Sequence, residues 1–172
     1  MPTDTPHTDA SLCRLLEGRG IAFVRADHPA VHTCEETDRL VPRTVGGVQT
    51  KNLFLRDGKG RRHWLLVTSC AKAVDLKALA PLIGADHLSL GSAERLQRFL
   101  GVTPGSVTLL ALVNDPAHDV ALVVDREVWE AGAWRCHPLV NTATLELSRS
   151  AVEAFLRLTG HAVRCIDLPV RG

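Results

Sequence analysis

Two apolar runs flank a turn, and that arrangement constrains this chain most. Leu53, Phe54 and Leu55 lie in the segment Lys51 to Arg56, the turn signal Asp57-Gly58 follows, and Trp64-Leu65-Leu66-Val67 comes next. Short β-prone runs separated by Asp-Gly predict an antiparallel hairpin. Around it the periodicity changes. Leu12, Leu15 and Leu16 recur at helical spacing within Asp9 to Glu17, and Asp75 to Ile83 and Ser92 to Leu100 read as amphipathic helices ending near Gly84 and Gly101. Thr33-Cys34-Glu35-Glu36 has the spacing of a capping box, with Thr33 as N-cap. Further strands are expected at Ile21 to Val24, Val107 to Val113, Val120 to Val124, Ala143 to Leu147 and Ala162 to Ile166, with Ser148 or Ser150 capping a helix that runs through Leu158. The two runs Val107 to Val113 and Val120 to Val124 are expected to be the central strands.

Hairpins mixed with helix-separated strands imply an α/β (α+β) fold: one domain with a mixed, largely antiparallel sheet flanked by helices. A length of 172 residues suits one core. The expected organisation is a mobile segment over residues 1–8 and a single domain over 9–172. The polar start, Met1 to Ala10, lacks the basic and apolar regions of a secretory signal, and no run is long and apolar enough to span a bilayer. A cytoplasmic protein without membrane contact is expected. Five dispersed cysteines, Cys13, Cys34, Cys70, Cys136 and Cys165, without a Cys-x-x-Cys pair, read as reduced thiols.

A net charge of +1 is no signature of a protein that tracks a nucleic-acid backbone, so any RNA contact has to be local and DNA is not an expected partner. Arg56, Lys59, Arg61 and Arg62 cluster around the hairpin turn and form the one promising basic patch, although such a cluster is commonly just a solvated tip. The sequence has no G-x-G-x-x-G, Walker or G-x-S-x-G motif, and no cofactor is expected. His28, His32 and Cys34 offer zinc-type ligands, but Pro29 breaks the helical spacing of a zinc-protease motif, so no metal is assigned. Cys136 and His137 are adjacent; on a strand they would point to opposite faces and could not form a thiol–base dyad. Lys51 and Asn52 at a strand start, and the loop Gly101-Val102-Thr103-Pro104-Gly105, could supply a cation, an amide and backbone N–H donors to a developing oxyanion. Each of these signals, alone, describes ordinary surface.

Their order is more specific. Asp27-His28-Pro29-Ala30-Val31, Lys51-Asn52-Leu53-Phe54-Leu55, Val74-Asp75-Leu76-Lys77, Gly101-Val102-Thr103-Pro104-Gly105-Ser106-Val107-Thr108 and His137-Pro138-Leu139-Val140-Asn141-Thr142-Ala143-Thr144 together resemble the prolyl-tRNA editing family, from about Leu12 to Leu168. Within it the chain most resembles the free-standing alanyl-tRNA(Pro) deacylases. The resemblance implies hydrolysis of the aminoacyl ester of mischarged tRNA(Pro) by water, without a covalent intermediate. It implies Lys51 and Asn52 as catalytic contacts, Val31 and Thr33 as walls of an alanine-sized pocket, the backbone of Gly101, Val102, Thr103, Pro104 and Gly105 as a clamp on the substrate end, and His137 as a pocket or amino-group contact. It further implies mischarged tRNA as partner, with prolyl-tRNA synthetase or an elongation factor as transient companions. A deacylase for seryl- or cysteinyl-tRNA, or a non-catalytic module that binds tRNA or an aminoacyl group, are the alternatives.

Overall fold

A computed structural model describes residues 5–42 and 45–172. Of the segment expected to be mobile, residues 1–4 lie outside the described residues. The rest of it is engaged: His7 N–H donates to Asn114 Oδ1 at 2.8 Å, and Thr8 caps the first helix. That helix, α1 (Asp9–Gly18), opens with a reciprocal capping box between Thr8 and Ser11 and buries Leu12 and Leu16 completely.

Strand β1 (Val24–Asp27) leads through the His28-Pro29 segment to helix α2 (Cys34–Leu40). The expected N-cap is present, with Thr33 Oγ1 accepting from Glu36 N–H at 3.1 Å. The Glu36 carboxylate reaches back one residue further than a capping box requires and accepts from His32 N–H at 2.7 Å. No residue of α2 is buried.

The hairpin forms as expected from β2 (Val48–Arg56) and β3 (His63–Ser69), with Lys51 directly opposite Thr68. Its turn is closed by Asp57, whose Oδ1 accepts from the N–H groups of Arg61 and Arg62. Helix α3 (Leu76–Leu82), capped by Asp75, the two-residue strand β4 (Ser89–Leu90) and helix α4 (Ala93–Leu100), capped by Ser92, follow.

The expected strand at Val107 to Val113 is instead a 3₁₀ helix, Leu109–Asn114, with Leu109, Leu110, Ala111 and Leu112 buried. A short run that is apolar on every side fits a buried helical turn as well as a buried strand, and periodicity cannot separate the two. Thr108 decides it locally, because its hydroxyl caps the turn by accepting from Leu110 N–H. The second run does form a strand, β5 (Val120–Asp125), inside the sheet. The chain ends with α5 (Arg126–Trp129), β6 (Ala133–Cys136), β7 (Ala143–Ser148), α6 (Arg149–Thr159), capped by Ser148, and β8 (Val163–Ile166).

The strands make one mixed sheet in the order β1-β7-β6-β2-β3-β5-β8, with β4 paired to β2. The pairs β2–β6, β3–β5 and β5–β8 are parallel and the others antiparallel. Every residue of β3 is buried, and its side chains alternate between two cores. Leu65 and Val67 join α1, α4, α6 and the 3₁₀ helix, whereas Trp64 and Leu66 join Leu79, Ala80 and Ile83 beside α3.

One irregularity places the site. Strand β6 pairs with β2 only at Val48 and Gln49, and β4 pairs with it only at Leu55 and Arg56. Between them, Thr50 to Phe54 have β3 on one side and, among the described residues, no strand on the other.

Candidate active site

The open flank of β2 borders a cavity of about 170 Å³. Thr50, Lys51 and Asn52 supply one side. Val31, His32 and Thr33 come from the segment entering α2, Cys34 and Thr37 from α2 itself, Gly105 and Val107 from the loop after α4, and Cys70 and His137 complete the lining. Val31, Thr33, Lys51, Asn52, Gly105 and His137, all chosen from sequence, therefore share one cavity. The rest of the glycine loop does not line it. Gly101 is the left-handed C-cap of α4, at φ 66°, and Val102 is buried in the core. Thr103 and Pro104 sit on the exposed outer bend, where Thr103 C=O accepts from Ser106 N–H. A clamp built from the whole loop is thus reduced to Gly105, because the first half of the loop is committed to ending a helix.

Lys51 is half-buried and donates through Nζ to the carbonyl of Lys72. Burial, and secondarily the nearby Arg171 guanidinium, pull its pKa below the ordinary lysine value. Lys72 in turn is fixed by Asp125 at 2.7 Å and Glu127 at 2.8 Å. Its own pKa is raised, chiefly by the hydrogen bond to Asp125 and then by that to Glu127. Asp125 also accepts from the Thr68 hydroxyl at 2.9 Å. Since Thr68 pairs with Lys51 across the hairpin, the contacts Lys51–Lys72–Asp125–Thr68 close into a ring that ties the Lys72 turn to the sheet.

Asn52 Oδ1 is buried without a hydrogen-bond partner. An unsatisfied buried acceptor costs about 1–3 kcal/mol, a cost that a bound donor removes. His137, which also lines the cavity, holds its Nδ1 3.0 Å from Ala143 C=O. A carbonyl accepts only, so Nδ1 carries the proton and Nε2 is left as an acceptor. Burial lowers the His137 pKa, the Ala143 bond partly opposes this, and His28 adds to the lowering. The neutral ring is therefore the form at pH 7.

The remainder of the His137 to Thr144 run is scaffold. Val31 N–H donates to Asn141 C=O and Asn141 Nδ2 donates to Val31 C=O, each at 3.1 Å, so the loop clasps the cavity wall at Val31. Thr142 C=O accepts from His28 N–H, and the His28 ring meets the Thr144 hydroxyl at 2.8 Å. Leu139 supports the tight bend with a left-handed φ of 68°. The sequence offers Asn141 and Val107 only as parts of motifs and gives no signal for Thr37, Thr50, Cys70 or Lys72.

The cysteine expectation is corrected. Cys34 and Cys70 form a disulfide across the cavity wall, with Cα atoms 6.0 Å apart, whereas Cys13, Cys136 and Cys165 are thiols. Pairing depends on proximity in space, and 36 residues of separation leave no signature in the sequence. Cys136 is buried, which pushes its thiol up to about 12, and its neighbour His137 points to the cavity. Among the described residues no three His, Cys, Asp or Glu side chains converge as a metal site.

The basic patch stands at the other end of β2. Arg56 is five residues from Lys51, about 17 Å along a strand. Arg62 is engaged locally, donating to Gly84 C=O at 2.8 Å and stacking on Trp64, and Arg56 donates to Asp57 C=O; Lys59 and Arg61 are exposed.

A mixed sheet opened beside a lysine-bearing strand and walled by a short helix is an architecture with known relatives. Residues 28–155 match the aminoacyl-tRNA editing domain family. The prolyl-tRNA editing protein ProX of Acetoanaerobium sticklandii is 35% identical over 148 residues, covering 86% of this chain and 90% of that protein. The prolyl-tRNA synthetase associated domain-containing protein 1 of Danio rerio is 37% identical over 139 residues, covering 78% and 73%. Among solved structures, a candidate trans-editing enzyme for prolyl tRNA synthetase superposes with a TM-score of 0.67 at 19% identity, covering 98% of this chain and 100% of that one, which establishes the shared fold. No helix among the described residues is long and apolar enough to cross a membrane.

The chain belongs to the aminoacyl-tRNA editing domain family. It is an enzyme of the aminoacyl-tRNA deacylase class.

Proposed function

We propose that this protein is a free-standing editing enzyme that hydrolyses the aminoacyl ester of mischarged tRNA(Pro), with alanine as the preferred amino acid. The observation that carries the reading is that Lys51, Asn52, whose carbonyl is unpartnered, and His137, whose ring is neutral, line one small cavity. The identity to ProX supports the prolyl assignment, and a volume of about 170 Å³ supports a small side chain.

In this reading Lys51 donates to the oxyanion that develops when water adds to the ester carbonyl. Asn52 Oδ1 and His137 Nε2 accept from the substrate's α-ammonium or from the attacking water, and so fix the carbonyl between them. The bond to the ribose oxygen then breaks, and that oxygen leaves with a proton delivered by water or by the neighbouring ribose hydroxyl. The two cysteines of the wall are bonded to each other, so neither is a nucleophile. Alanine and proline differ by little more than two methylenes. Each is worth about 1–3 kcal/mol by contact alone, so the rigid walls at Val31 and Thr33 have to exclude the ring sterically. Metal and cofactor play no part in the proposal.

A panel of tRNAs charged with alanine, serine, cysteine and proline tests this. Alanyl-tRNA(Pro) is expected to be hydrolysed at least tenfold faster than the others. Preference for serine or cysteine transfers the specificity, and binding without turnover makes the protein a recognition module.

Activity is also expected to depend on pH on both sides of neutrality. As pH falls through the lowered pKa of His137, Nε2 gains a proton and can no longer accept, so an acid limb should appear below pH 6.5. The alkaline limb, from Lys51, should fall below 10.5. A His137→Asn variant should lose the acid limb; an unchanged limb would remove His137 from the site.

Lys59 and Arg61 are proposed to touch the tRNA backbone. Their joint replacement by alanine should raise KM severalfold in low salt and have little effect in high salt. Equal effects at both ionic strengths would return the hairpin tip to ordinary surface. A synthetase or elongation factor could share the tRNA, and a pull-down on charged tRNA tests for either.

A further inference from the structure

Helix α2 walls the cavity through Cys34 and Thr37 yet buries none of its own residues, so packing contributes little to its position. Its attachments are few. Cys34 is bonded to Cys70, Gln49 Nε2 donates to Cys34 C=O at 2.8 Å, and the buried side chains of Val31 and Val41 lie just outside the helix. Cys70, at the end of β3, is anchored to the sheet, its N–H donating to Gln49 C=O. Two residues later Lys72 C=O receives the Lys51 amine. The disulfide thus joins a cavity wall that buries none of its own residues to the turn that holds the Lys51 amine. Both cysteines are half-buried, within reach of an external thiol.

We propose that Cys34 and Cys70 form a redox-active latch, which fastens α2 as a fixed cavity wall when oxidised and releases it when a dithiol reduces the bond. The exchange is balanced. A thiolate of the dithiol attacks one sulfur, the Cys34–Cys70 bond breaks, and the second thiol resolves the mixed disulfide. Two electrons and two protons pass to the cysteines while the dithiol becomes a disulfide. Among the described residues, the released helix keeps the Gln49 bond and its flanking anchors, and the cavity loses the rigidity that excludes a larger aminoacyl group. That last consequence rests on the editing function proposed above; the latch itself does not.

Two readouts keep them apart. After treatment with oxidised glutathione and denaturation without reductant, the protein should show three thiols, those of Cys13, Cys136 and Cys165, and after dithiothreitol five. Native-state hydrogen exchange should then show the amides of residues 34–40 opening at least tenfold faster in reduced than in oxidised protein, with β5 and α6 unchanged. The double variant Cys34→Ser, Cys70→Ser should exchange at the fast rate whether or not dithiothreitol is present. Five thiols after oxidation, or equal exchange of α2 in both states, overturns the latch irrespective of activity. On the substrate panel, the ratio of kcat/KM for alanyl- over prolyl-tRNA(Pro) should fall at least tenfold on reduction. A constant ratio in protein that does hydrolyse alanyl-tRNA removes the control of selectivity, whereas absence of hydrolysis in both states refutes the editing function and leaves the exchange result to decide the latch.

Discussion

Replacing Lys51 by alanine is expected to lower single-turnover deacylation of alanyl-tRNA(Pro) by a factor of about 100–1000, the range seen when one oxyanion donor is removed from a site shielded from water. Stability should barely change. The side chain is half-buried and its hydrogen bond goes to a single backbone carbonyl, that of Lys72, so its loss costs about 1 kcal/mol. Circular dichroism melts recorded beside the kinetics separate the two effects. Lys51→Arg should recover little, because a guanidinium presents its charge in a planar fork and not at the point from which the compact ammonium meets the Lys72 carbonyl. Near wild-type turnover in Lys51→Ala would remove the lysine from the mechanism.

The second large effect concerns a residue away from the cavity lining. Asp125 is 1% exposed and holds Lys72 Nζ and the Thr68 hydroxyl with one carboxylate oxygen, while the other accepts from Glu127 N–H to start α5. Asp125→Ala leaves a fully buried hydroxyl unpartnered and Lys72 with only the exposed Glu127. A loss of about 3 kcal/mol is expected, which lowers Tm by about 6–12 °C in a domain of this size. Because the Lys72 carbonyl then drifts from Lys51, kcat should also fall tenfold or more at temperatures where the variant remains folded. A destabilised variant with unaltered kcat would show that the ring serves the fold alone.

Much of the fold could be read before any coordinates. The hairpin, the caps at Thr33 and Ser148 and the helices α3 and α4 rest on local chemistry, that is, turn residues, side-chain oxygens at N-caps and periodic leucines, and all are present. What local pattern could not decide was the use of an apolar run without periodicity, and Leu109–Asn114 became a 3₁₀ helix. Strand β6, Ala133–Cys136, has no β-branched residue to mark it, unlike the equally short β8, Val163–Ile166, with its Val163 and Ile166. Motif order brought Lys51, Asn52, His137, Val31, Thr33 and Gly105 together, and these do share a cavity. It could not separate Gly105 from Gly101, whose duty is to end α4, nor foresee that Lys72 would meet Lys51 through its backbone, an atom every residue possesses. The Cys34–Cys70 bond belongs to the same class of long-range facts.

The junction of β2 with β6 has a mechanical consequence. Among the described residues, strand pairing joins the β1-β7-β6 block to the β2-β3-β5-β8 block at two positions, Val48 with Trp134 and Gln49 with Arg135. Arg135 reinforces the splice by donating to the carbonyls of Val45 and Gly46, and Gly47, at φ 91°, brings its backbone so close to Ala133 that an added Cβ would stand 3.0 Å from that residue's carbonyl. Strand pairing is therefore sparsest beside the candidate cavity, whose lining on β2 begins at Thr50. Side-chain packing backs the splice, because Trp134, Leu145 and Leu147 share one core with Leu65 and Val67, so any change in the width of the cleft has to be absorbed by that common core.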